Sequence, residues 1–76
     1  MLTLAARTLL DRMIADRKVL TRSNYAFDPH FYLVDRKTGE RQLQNRRAGL
    51  DLISTDAVRV LHAYGTHTDW EPTDHR

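Results

Sequence analysis

Leu2, Ala6, Leu9, Leu10, Met13 and Ile14 recur at three- and four-residue steps, so residues 2–17 read as an amphipathic helix with one apolar stripe. Ala, Leu, Arg and Met are good helix formers. Arg7–Asp11 and Arg12–Asp16 stand four apart on the outer side, where such pairs add about 0.3 kcal/mol each. Arg17 falls back onto the apolar side, which predicts the helix end there.

The period then changes to two. FYLVDRKTGERQLQ, residues 31–44, reads as a strand, a tight turn and a second strand with a single apolar residue, Leu43. A turn on Lys37-Thr38-Gly39, with Gly39 at positive φ, faces Arg36 with Glu40, Asp35 with Arg41 and Leu33 with Leu43. Each such cross-strand pair contributes roughly 0.2–1 kcal/mol. This register puts Phe31, Leu33 and Leu43 on the core face and Tyr32, Val34, Gln42 and Gln44 on the other. A four-residue loop, the competing arrangement, sets Val34 against Arg41 and Leu33 against Gln42. The second arm reads as an edge strand guarded by charge. A two-stranded hairpin is marginal alone, so Val19–Thr21 or Tyr25–Phe27 is expected to add a short strand, unless a second chain does. Asp28 before Pro29 is pushed toward extended geometry.

Helical spacing returns at Ala57, Val60, Leu61 and Tyr64, predicting a helix over 55–64. Ser54 is its expected N-cap, Ile53 staples onto Val58, and Gly65 ends it. Residues 66–76, THTDWEPTDHR, are polar and contain Pro72, so they read as a loose tail beyond a compact domain of residues 1–65. Trp70 stands out there, either packed back on the body or held for a partner. RRAGLDLISTDAVRVLHAYG superficially suits a helix-turn-helix. Its first helix, residues 40–48, would carry only Leu43 and Ala48 as apolar residues, too few to pack. The expected fold is therefore a small single α+β domain, α-β-β-α, with two helices packed on one face of a short antiparallel sheet.

Charge changes the picture more than composition does. The 76 residues carry a net +2, but residues 1–47 hold ten Lys or Arg against five acids, while 48–76 hold two against five. A basic N-terminal surface is one way to meet an acidic partner. Ten of the twelve cations are Arg, as a GC-rich genome alone also produces. Arg22, Tyr25, Arg36, Lys37, Arg41, Arg46 and Arg47, with Tyr32 nearby, form a basic and aromatic set suited to phosphate contact and base stacking. Asp28, Asp35 and Glu40 offset part of it, and the proposed hairpin pairs use Arg36 and Arg41 structurally. Arg46 and Arg47 fall outside that pairing scheme and are the better candidates, with Lys37 and Arg22.

Other chemistry is thin. There is no Cys, hence no disulfide or thiol chemistry, which fits a reducing, cytoplasmic setting. Arg7 and Asp11 interrupt what a signal peptide keeps apolar, and the acids argue against a mitochondrial presequence, so the N-terminus reads as part of the fold. His62, His67, Asp69 and His75 lack zinc-site spacings, and exposed, ordinary histidines account for them better. No glycine-rich phosphate loop or nucleophile motif surrounds Ser23 or Ser54, and no cofactor is expected. The expectation is a non-enzymatic regulatory binding module, nucleic-acid-associated through Arg46, Arg47, Lys37 and Arg22. The alternative is a protein-interaction adaptor or inhibitor of a larger machine, such as the transcription apparatus, working through the sheet edge, Tyr32, Val34 and Trp70. A homodimer through hairpin edges is compatible with either.

Overall fold

The structure is a computed structural model that describes residues 2–24 and 30–73. Along the chain run α1 (Leu4–Asp16), β1 (Lys18–Ser23), β2 (Phe31–Asp35), β3 (Arg41–Gln44), α2 (Arg46–Ile53), β4 (Val58–Ala63) and β5 (His67–Pro72). The fold is α+β: two helices and one five-stranded antiparallel sheet ordered β3-β2-β1-β5-β4. No described helix is long and apolar enough to cross a membrane.

α1 starts where Thr3 accepts the Ala6 N–H at 3.2 Å and ends on Arg17, whose left-handed backbone returns its N–H to the Met13 carbonyl. Ala6, Leu9 and Met13 bury its stripe. The Arg12 guanidinium donates to Oε1 of Gln42 at 2.6 Å and of Gln44 at 3.4 Å, tying α1 to the sheet edge. Asn45 caps α2 by accepting the Ala48 N–H at 3.1 Å. Ala48 and Leu52 bury the inner side of that helix, and Gly49 lies so close to the Phe31 ring that a Cβ would overlap it. One buried cluster, from Ala6 and Leu9 through Leu20, Phe31, Leu33 and Leu52 to Val58 and Trp70, joins both helices to the sheet.

The expected α-β-β-α order, with helices over 2–17 and 55–64 packed on one face of a short sheet, is corrected in three places. The helix expected over 55–64 is strand β4, preceded by a helix the periodicity missed. Val58 and Val60 face Pro72 and Trp70 with Arg59 turned outward, so alternation of β-branched residues overrides the helical spacing. Ser54, the expected N-cap, follows α2 and bonds back to it, its Oγ donating to the Asp51 carbonyl at 2.7 Å. The loose tail is the interior strand β5, hydrogen-bonded to both β1 and β4, with Pro72 tolerated as its last residue. Residue 65 is therefore no domain boundary. Tyr25–Phe27, Asp28 and Pro29 lie outside the described residues; Val19–Thr21 lies within β1.

The hairpin is slipped by one residue from the preferred register. Tyr32 faces Leu43, Leu33 faces Gln42 and Val34 faces Arg41. The four-residue loop prevails because Asp35 holds it: its carboxylate accepts the N–H groups of Lys37 at 2.8 Å and Thr38 at 3.1 Å. Its backbone bonds Gly39 and Glu40 at 2.9 Å each, and Gly39 takes φ 74°. Those four bonds outweigh two exposed ion pairs.

Candidate nucleic-acid interface

A one-residue slip turns every side chain of β3 over. Gln42 and Gln44 now share the helix-covered face with Leu33 and Phe31, while Arg41 and Leu43 join Val34 and Tyr32 on the opposite, open face. Pairing across the sheet orders that open face into three rows. The row nearest the hairpin turn runs Arg41, Val34, Val19 on β3, β2 and β1, with Glu71 and Arg59 paired beyond on β5 and β4. The middle row runs Leu43, Tyr32, Thr21, Asp69 and His62. His30, Ser23, His67 and Tyr64 make the third, joined by Ser23 N–H to the His30 carbonyl and Tyr64 N–H to that of His67, each at 2.8 Å.

The rows leave a trough. Thr21 and Ser23 are small and form its floor, Tyr32 and Val34 stand on one side, and His67 and Asp69 on the other, around about 490 Å³ of open space. Rings line both sides: His30 and Tyr32 lie 6.4 Å apart, Tyr64 and His67 4.6 Å, His62 and Tyr64 5.8 Å between centroids. The Thr21 hydroxyl donates to Asp69 at 2.8 Å, and His62 lies 4.0 Å from the other carboxylate oxygen. Glu71, nearly buried, accepts from Arg59 at 2.8 and 2.9 Å and meets Arg36 at 3.6 Å. Among the described residues no three His, Asp or Glu side chains are grouped to hold a metal, and His75 is outside them.

The expected cationic residues split. Lys37 sits exposed in the hairpin turn at one end of β3, and Arg46 and Arg47 are exposed in the first turn of α2 at its other end, with Arg41 on the strand between. From 37 to 47 the chain carries four cations and one acid, Glu40, along this sheet edge, while Arg36 turns away to Glu71. Cations at a helix start are unfavourable by a few tenths of a kcal/mol in themselves, since they add to the positive end of the dipole. Arg22 does not join them. It pairs with Phe31 on β2, shares the helix-covered side with Leu20, and has a buried Nε without a hydrogen-bond partner.

Of the residues expected to meet a partner, Tyr32 and Val34 are half-buried on the open face. Trp70 is corrected: it is only 9% exposed and packs in the core opposite Leu20 and Val60, because β5 carries it inward. Sequence reasoning missed His30, Tyr64 and His67. Reading HTDWEP with a period of two would have put His67, Asp69 and Glu71 on one side and Trp70 on the other. No family model matches this chain, and no curated protein or solved structure matches it either.

Proposed function

We propose that this protein is a small non-enzymatic binding module that associates with nucleic acid through the cationic β3 edge. The observation that carries this reading is the run of Lys37, Arg41, Arg46 and Arg47 along one strand edge, which outnumbers the Glu40 and turn-bound Asp35 carboxylates beside it. Strand β3 is about 13 Å long at 3.3 Å per residue, so these groups track a backbone rather than grip one ion. Charges spaced along a polyanion gain from counterion release, which a single compact anion does not provide. The amide end of α2 adds to the same positive field.

The test is an affinity series with labelled DNA and RNA oligonucleotides at rising salt. On single strands, three or four phosphate contacts imply a loss on the order of 20- to 50-fold between about 50 and 200 mM salt. The double variant Arg46→Gln/Arg47→Gln should flatten the slope by about 0.7 per cation on single strands. Affinity that does not respond to salt removes the reading. The same open face and edge would serve a protein adaptor, for which Leu43, 63% exposed on β3, is the best anchor. Capture from a nuclease-treated lysate separates the two, because only a protein partner survives that treatment.

A further inference from the structure

We propose that the open sheet face receives the bases of a single-stranded nucleic acid, with Tyr32 as the stacking surface and the Thr21–Ser23 trough as the pocket beyond it. This rests on the edge reading above and adds the class of strand and the place of its bases. A backbone tracked by Lys37, Arg41, Arg46 and Arg47 has its bases facing either outward to solvent or inward over the sheet. Inward, the first side chains met are Leu43 and, one strand spacing of about 4.8 Å further, Tyr32. Tyr32 is half-buried among Leu43, Thr21 and the ring of His30, so its ring is fixed in place. Ring faces fixed beside a cationic track are what sequence-tolerant base stacking uses.

The floor supports the same occupant. Thr21 and Ser23 leave the trough open between Tyr32 and the His67–Tyr64 pair. The Thr21 hydroxyl spends its proton on Asp69, so its oxygen remains an acceptor, while Asp69 sits back from the cationic edge behind β1. Charge across the face thus runs from positive at β3 to acidic at β5, matching phosphates outside and neutral bases inside. A duplex does not fit, since its base faces are already stacked and its grooves admit a projecting helix or ribbon rather than a shallow sheet. The length of β3 limits the contact to about four nucleotides, the low end for such sites.

The experiment uses the full chain and fluorescence anisotropy with mixed-sequence oligonucleotides of about twelve nucleotides, single-stranded RNA, single-stranded DNA and the DNA duplex, at about 50 mM salt. Tyr32→Leu should weaken single-strand binding about 5- to 100-fold, while Tyr32→Phe stays within about twofold. His67→Ala, in the far wall, should weaken it by a smaller factor, and melting curves check that each variant folds. If Tyr32→Leu does not fold, Tyr32→Phe and His67→Ala carry the comparison with the duplex. Lys37→Gln should weaken single and double strands alike. Salt-sensitive binding that is equal for duplex and single strand, and indifferent to residues 32 and 67, overturns this proposal and leaves the edge reading standing. No binding to any oligonucleotide removes both. A glutamate-rich peptide that binds as tightly, with the same dependence on Tyr32, overturns it in favour of a protein occupant.

Discussion

The two faces of this sheet are built from alternate residues of the same strands, yet they obey different rules. On the helix-covered face Leu20, Phe31, Leu33 and Trp70 close against α1 and α2, and the first three are fully buried. On the open face their immediate neighbours Val19, Thr21, Tyr32, Val34 and Asp69 mix apolar, hydroxyl and acidic groups. The covered face is constrained by volume and shape, while the open one tolerates polar and charged groups. Burial is thus concentrated on one side and composition is free to vary on the other.

Adjacent residues test that division most strongly. Leu33→Ala removes a fully buried side chain from the middle of the cluster and should cost about 2–5 kcal/mol. Val34→Ala, one residue on, should cost under about 1 kcal/mol, because its half-buried side chain leaves no enclosed cavity. Urea unfolding of the two variants gives both numbers. Similar losses would mean that the open face is also structural, and that something covers it. Gly49→Ala sharpens the same comparison from the helix side. Its methyl would enter the space of the Phe31 ring, and the ring has no room to retreat, so a loss of about 1–3 kcal/mol is expected. A neutral result would show that α2 can lift from the sheet.

The same alternation explains what could be read from the sequence. α1 was legible because Ala6, Leu9 and Met13 fit only one period, and β2 because Phe31 and Leu33 alternate with Tyr32. β4 was not, since Val60, Leu61 and Tyr64 satisfy the helical spacing as well as a bulged strand does. The bulge between Val60 and His62 blurs the period of two where it was needed. α2 was hidden because only eight residues form it, with Ala48, Gly49 and Leu52 as its buried set; small residues against Phe31 give a weak apolar signal. With 55–64 read as a helix and 66–76 as a tail, nothing chooses between the body and a partner for Trp70, and the ring of His67 cannot be set opposite Tyr32. Arg46, Arg47 and Lys37 were legible as charge. That they border one strand depended on a fold not read in full.

Asp35 decides which β3 residues belong to which face, and its effect on overall stability is the smallest of these. The N–H groups of Lys37 and then Thr38 hold its carboxyl below the ordinary value of 3.8, with help from the charges of Lys18 and Lys37. The unfolded chain therefore takes up this proton at a higher pH than the folded one does. Its stabilising contribution is complete above the unfolded value and drains away as pH falls through the folded one. Melting temperatures of the wild type and Asp35→Asn should differ most above about pH 5 and converge on acidification below about pH 4. A gap that widens in acid contradicts the arrangement. Asp35→Ala goes further, since it removes the acceptor as well as the charge. Losing both turn bonds frees the hairpin to slip into the register that pairs Leu33 with Leu43, turning Leu43 under the helices and taking Gln42 away from Arg12. Cross-strand proton contacts read this directly: Leu43 near Tyr32 in the wild type, and near Leu33 in a slipped variant. A variant that keeps the Tyr32–Leu43 contact assigns the register to Gly39 and the Arg12–glutamine bonds instead of to Asp35.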